Sequence, residues 1–233
     1  MKLAVSLATS IATIGLASTV TAPAGAFAVV FDNFGPNDAY DTEEGWIISG
    51  SSSIVSSFTQ GFQFFPTATG ELAKIEVAIG LVGESSNEVL FELRKDTGAN
   101  YPDLTPAGLL ESFNFLNQME DFGDLNPPLV GLSTLEPILS SSTPYWLIAN
   151  TPNSDTLSAW NLNFSGDTGS RYFNGNILFD DPRGAFRITV RDVAAVPEPI
   201  TILGSATALG LGALLKRKLK SSKSPKKETE KIS

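Results

Sequence analysis

The chain of 233 residues contains no cysteine and no histidine. Without thiols there is no disulfide framework and no thiolate ligand. Without imidazole there is no histidine base for a serine nucleophile, no zinc site of the Cys/His kind and no histidine-ligated haem. What is left is oxygen chemistry: acid/base work by Asp and Glu pairs, or hard cations such as calcium. Basic residues are scarce in the body of the chain, where Val29 to Pro199 holds 7 Lys/Arg against 23 Asp/Glu, a balance of −16. The formal charge of the whole chain is only −9 because the stretch from Lys216 onward carries 8 basic and 2 acidic residues. A body this acidic repels nucleic acid and anionic lipid heads and attracts divalent cations.

Long apolar runs are confined to the two ends. Lys2 precedes a run from Leu3 to about Val20, followed by the small residues of Ala22-Pro23-Ala24-Gly25-Ala26-Phe27-Ala28. This is the pattern of a secretory signal peptide over residues 1–28, delivered to the Sec translocon and cleaved after Ala26 or Ala28. At the other end Val196-Pro197-Glu198-Pro199 leads into Ile200–Leu215, which carries no charge. Proline opens a helix well and continues one badly, so a transmembrane helix is expected over 200–215. At about 1.5 Å per residue it spans roughly 24 Å, short of a hydrocarbon core of about 30 Å. Gly204, Gly210 and Gly212 soften it further. The basic cluster 216–220, with Lys216, Arg217 and Lys218 at its head, stays on the cytoplasmic side and sets topology. Residues 221–233, rich in Lys, Ser and Glu, are expected to be a disordered cytoplasmic tail.

The order Val-Pro-Glu-Pro, glycine-bearing apolar helix and Lys/Arg cluster over 196–220 resembles the PEP-CTERM sorting signal of bacteria that make extracellular polysaccharide. The resemblance implies that exosortase, a membrane-embedded protease or transpeptidase, acts near Pro197-Glu198-Pro199. The rest of the chain would then be released or transferred, first as a membrane-anchored precursor and finally at the cell surface or in the extracellular matrix.

Between the signals, 29–195 leaves about 165 residues, enough for one domain with a sizeable core. Alternating apolar residues predict strands at Trp46–Ile48, Ile54–Phe65 with a bulge at Gly61, Glu71–Val82, Val89–Arg94, Leu109–Met119, Leu129–Leu139, Tyr145–Asn150, Ala159–Phe164 and Ala185–Val193. An acidic turn precedes the first, and irregular loops are expected at 83–87, 96–108 and 120–128. No convincing 3.6-residue period occurs between the signals. Roughly nine short strands with regular turn signals imply an all-β fold, a two-sheet antiparallel sandwich of jelly-roll connectivity. Phe31-Asp32-Asn33-Phe34-Gly35-Pro36, Ser142-Thr143-Pro144-Tyr145-Trp146-Leu147 and Ala159-Trp160-Asn161-Leu162-Asn163 also resemble the choice-of-anchor R domain, a bacterial surface module. That family carries no activity over to these residues.

Trp146 and Trp160 alternate with apolar neighbours and are expected in the core, whereas Trp46, Tyr101 and Tyr172 lie nearer loops and are candidates for stacking on a sugar. Two acidic sets are candidate calcium ligands: Asp38, Asp41, Glu43 and Glu44, and Glu120, Asp121 and Asp124. Neither fits an EF-hand loop, so a site would have to be assembled between loops, and solvated surface is the plainer expectation for both. No pair of carboxylates is identifiable as catalytic. The expected role is an exported binding or structural module with extracellular polysaccharide as its associate and no required cofactor. A carboxylate-based glycoside hydrolase or lyase on the same sandwich is the alternative.

Overall fold

The structure, a computed structural model, describes residues 25–52, 56–83 and 85–192. These residues fall within a single compact unit spanning Ala24–Val193. Fourteen strands make up the fold and, among the described residues, there is no α-helix: β1 (Phe27–Asp32), β2 (Tyr40–Ser49), β3 (Gln60–Phe64), β4 (Gly70–Val77), β5 (Ile79–Leu81), β6 (Glu88–Lys95), β7 (Leu109–Leu116), β8 (Leu129–Leu132), β9 (Ile138–Leu139), β10 (Tyr145–Asn150), β11 (Leu157–Asn163), β12 (Thr168–Phe173), β13 (Asn176–Pro182) and β14 (Phe186–Arg191). All strand pairings are antiparallel. The signal peptide expected over 1–28, up to residue 24, the Pro-Glu-Pro motif, the transmembrane helix expected over 200–215, Lys216, Arg217, Lys218 and the tail expected over 221–233 lie outside the described residues. Among those described, no helix is long and apolar enough to cross a membrane.

A six-stranded sheet runs β13-β12-β3-β10-β6-β7. Its inward residues, Phe62, Phe64, Phe91, Leu93, Leu147 and Phe113 among them, alternate with outward ones as a half-buried strand requires. Facing it are β1-β14-β4-β8, with β9 also on β4, and the three-stranded β2-β11-β5. These two short sheets meet end to end. Ala78, between β4 and β5, donates to Ala185 O, Ala185 donates to Asn161 O, and Asn161 donates to Ala78 O. The ladder on β4 and β5 therefore passes from β14 to β11 without losing its backbone bonds.

The core between the layers is aromatic. Trp160, fully buried, places its ring 4.8 Å from Phe62, 4.8 Å from Phe91 and 5.8 Å from Phe186, and Phe186 stacks on Phe31 at 4.6 Å. Its indole N–H donates to Ala185 O at 3.1 Å, so the one polar atom it buries is partnered. Gly184 lies under the same indole, where an added Cβ would come within 2.6 Å of three ring atoms. Burying side chains of this size stabilises by about 1.5–3 kcal/mol each.

A second apolar cluster lies on the other face of the six-stranded sheet, where Trp146, Ile148 and Tyr172 pack with Tyr101 and Ile177. Trp146 donates its indole N–H to Asp96 Oδ2 at 2.7 Å, and the loop 96–108 folds back over the cluster, tied by Arg94 to Asp103 O and Thr105 O. That both tryptophans are core residues follows the sequence expectation. Other details of the fold differ from it: residues 133–137 part the strand expected over Leu129–Leu139 into β8 and β9, Ala78 parts Glu71–Val82 into β4 and β5, and the sequence expectation does not cover β1, β12 and β13. Gly61 is in continuous register with β10 and β12 and forms no bulge; it is glycine because a Cβ would meet Ile148 at 2.9 Å. The strand predicted over Ile54–Phe65 contains β3 at Gln60–Phe64, and residues 53–55 lie outside the described ones. The acidic turn is largely part of strand β2, as described next.

Candidate functional site

β2 pairs with β11 with Asn161 opposite Gly45 and Asn163 opposite Tyr40, so residues 41–44 bulge out across from Leu162 alone. The bulge is held by its own first residue: Asp41 Oδ1 accepts the amide N–H of Glu43 at 2.8 Å and of Glu44 at 3.0 Å. Asn161 fixes it from the neighbouring strand by donating to Asp41 O at 2.9 Å. Glu43 and Glu44 are thereby presented beside Trp46, and together with Gly45 and Leu162 they line a depression of about 340 Å³.

Trp46 is fixed in place from two directions. Its indole N–H donates to Pro182 O at 2.8 Å, and the guanidinium of Arg171 lies 3.6 Å from its ring centroid. Such a cation over an indole face contributes about 0.5–2 kcal/mol. Arg171 is itself 6% exposed, donating to Asp181 Oδ2 at 2.7 Å and to Gln60 Oε1 at 2.9 Å, and Gln60 passes the chain on to Ile47 O at 2.9 Å. The platform is therefore preorganised, with half-buried Trp46 as its aromatic member and two carboxylates at its edge.

The other two stacking candidates are placed differently. Tyr172 lies in β12 and is buried, and Tyr101 packs edge-on against it with ring centroids 5.8 Å apart. Burial, followed by the neighbouring Tyr101, pushes the Tyr172 hydroxyl above its usual range. Tyr101 donates to Gly175 O at 3.3 Å. Both belong to the apolar cluster over Trp146, so their rings are engaged with each other.

The acidic residues proposed for calcium do not converge. Asp38 pairs with Arg187 at 2.6 Å, and Asp32 pairs with the same guanidinium at 2.9 Å. Burial alone would lower the pKa of Arg187, but these two carboxylates outweigh it and raise it. Asp41 is occupied with the two amides of its bulge. In the second set the backbone does the organising: Asp121 bridges to Leu81, and the Tyr40 hydroxyl donates to Asn126 O at 2.8 Å and accepts from Asn126 N–H at 2.7 Å. Burial, opposed by that bond to Asn126 and aided by Asp124, raises the pKa of Tyr40. Among the described residues, no group of three or more acidic side chains is arranged to hold a metal.

Sequence reasoning left Arg171 as one basic residue among seven. The signal that locates it is Asn174-Gly175, with φ of 45° and 88°, a two-residue turn joining Phe173 to Asn176 across β12 and β13. Asn-Gly between apolar residues is a strong hairpin marker, and it brings Arg171 onto β12 and Asp181 and Pro182 onto β13. No protein-family model matches the chain, and a search of the curated proteins finds no match.

Proposed function

We propose that this chain is an exported, exosortase-sorted cell-surface or matrix protein whose β-sandwich binds extracellular polysaccharide at the Trp46 depression. Jelly-roll connectivity fits the order of its strands, since the chain crosses repeatedly between the six-stranded sheet and the opposing layer. Export rests on the N-terminal run and its Ala-x-Ala residues. Phe27 and Ala28 pair with Arg191 and Val190 in β1, so cleavage after Ala26 leaves that strand whole. Sorting rests on the Pro-Glu-Pro motif, the short apolar segment and Lys216-Arg217-Lys218. Mass spectrometry of extracellular protein is expected to find peptides of the sandwich and none beyond Lys216; stoichiometric recovery of the tail would refute processing.

The observation that carries the binding reading is the fixed indole of Trp46 with Glu43 and Glu44 beside it. An aromatic face takes the C–H side of a sugar ring, and carboxylates accept its hydroxyl protons. With two carboxylates at the edge and a body charge of −16, the favoured ligand is a neutral chain over a uronate or sulfated one. Trp46→Ala is expected to weaken retention by neutral polysaccharide in affinity electrophoresis about thirtyfold, the loss of a central aromatic contact of about 2 kcal/mol. Trp46→Phe should retain most of the binding. Unchanged retention in the alanine variant, with the fold intact by circular dichroism, would remove the site.

A further inference from the structure

The outer face of β1-β14-β4-β8 has a different character. Its cross-strand register forms three rows: Phe27, Arg191, Glu71, Ile138; then Val29, Thr189, Lys74, Leu132; then Asp32, Arg187, Glu76, Val130. The central columns are charged or polar, and the flanks are apolar rails apart from Asp32 at one end of β1. Phe27 is 67% exposed, Val29 53%, Leu132 70% and Ile138 58%. Between the rails runs a groove of about 590 Å³. Its charges balance locally, Lys74 against Glu76 at 3.0 Å and Arg191 against Glu136 at 2.9 Å. In the middle of the floor sits Thr189, 5% exposed, whose hydroxyl has no hydrogen-bond partner among the described residues.

The rim is built to hold apolar side chains outward. Glu111, 3% exposed, accepts the amide N–H of Thr134 at 2.6 Å and of Leu135 at 3.2 Å, as well as the hydroxyls of Ser133 and Thr134. A buried carboxylate thus fixes the loop 133–136, on which Leu135 is 69% exposed.

We infer that this face is a self-association surface whose occupant is the same face of a second copy of the chain, related by a twofold axis running parallel to the strands between β14 and β4. Apart from Phe27, whose ring already lies 5.7 Å from the Arg191 guanidinium, the rails are aliphatic, which suits a protein surface better than a sugar that stacks on aromatic rings. Two bodies of charge −16 repel each other, and they approach at least cost where the local charge is balanced. The pattern also selects the axis. Rotation about a line parallel to the strands lays each β14 over the second copy's β4, so Arg191 faces Glu71, Arg187 faces Glu76, and Lys74 lies over the buried Thr189 position. It lays the β1 rail over the β8 and β9 rail in the same step. An axis across the strands would instead set Arg191 over Arg187 and Glu71 over Glu76. The contact is isologous and closes on itself, giving a dimer.

The absence of native cysteine makes the test direct, because any introduced cysteine is unique. In face-to-face packing at about 10 Å, Val29 of one copy lies opposite Leu132 of the other, whereas the two Val29 positions are roughly 17 Å apart. Full-length Val29→Cys and Leu132→Cys proteins in mild detergent are treated with a short bis-maleimide, each alone and as an equal mixture, and run on a denaturing gel. The mixture is expected to give a dimer band at least fivefold stronger than either variant alone. Leu132→Glu in the Val29→Cys partner should remove the band in the mixture. No band in the mixture, or an equal band from one variant alone, overturns the proposal, as does wild-type protein that sediments as a monomer while neutral polysaccharide occupies the groove. These outcomes do not depend on Trp46, so the glycan site and the dimer face stand or fall separately.

Discussion

Trp160→Ala is expected to destabilise the fold by about 3–5 kcal/mol, the cost of removing a large ring from a close-packed core. The residue is fully buried and touches rings from three other strands, Phe62 on β3, Phe91 on β6 and Phe186 on β14. Gly184 beneath the indole has no side chain to fill the space left. The substitution also removes one of the two donors to Ala185 O, leaving only the Ala78 N–H there, at the point where β14 meets β11. For a domain of this size the melting temperature should fall by about 8–16 °C. Trp160→Phe keeps much of the volume and loses the N–H, so its cost should be nearer 1–2 kcal/mol. Chemical denaturation of both variants checks the order; a Trp160→Ala loss below about 1 kcal/mol would contradict this account of the core.

Glu111→Ala should cost about 2–4 kcal/mol, because a buried carboxylate with several donors is removed and its partners lose their acceptor together. Bonds to Thr134, Leu135 and Ser133 all end on this one side chain. Glu111→Gln keeps an acceptor oxygen and should lose about half as much. The readout that separates loop anchoring from general destabilisation is amide exchange: Thr134 and Leu135 should lose protection in the alanine variant under conditions where Ile188 and Val190 on β14 keep theirs. Uniform loss of protection over all four amides would show that Glu111 supports the fold and does not specifically fix the loop. In the dimer proposed here, the same variant should also reduce cross-linking between Val29→Cys and Leu132→Cys chains.

The strands that the sequence reveals are those with one dry face. Tyr145–Asn150 matches β10 at both ends, and Val89–Arg94 lies within β6, because Leu147, Val89, Phe91 and Leu93 point into a single core. The strands that stay hidden have their pattern interrupted by chemistry. β12 buries Arg171 where an apolar residue would mark a strand, and β13 is an edge strand with exposed Phe179 and paired Asp181. β2 is legible only in its second half, Trp46–Ile48, because its first half is the four-residue acidic bulge, whose carboxylates look like a solvated turn until Asp41 is seen bonding its own backbone. The Trp46 depression was half legible for the same reason. Trp46 and Glu43 both stand out in the sequence, for stacking and for metal, but Arg171 and Leu162 are 125 and 116 positions beyond Trp46 and join it only through strand pairing.

The end-to-end meeting of β14 with β11 has a mechanical consequence. β14, the last strand among the described residues, ends at Arg191, which is level with Glu71; Trp46 is level with Trp160 and Ile79. From Glu71 to Ile79 is roughly 26 Å at about 3.3 Å per residue. Under the proposed glycan binding and anchoring, a polymer pulling at Trp46 against a tether beyond residue 192 would stretch the sandwich along its strands. β14, bonded on one side to β1 and on the other to β4, then resists by sliding, with both rows of hydrogen bonds strained at once instead of opened one after another. Under that proposal the C-terminal strand carries the pull in shear and does not peel away.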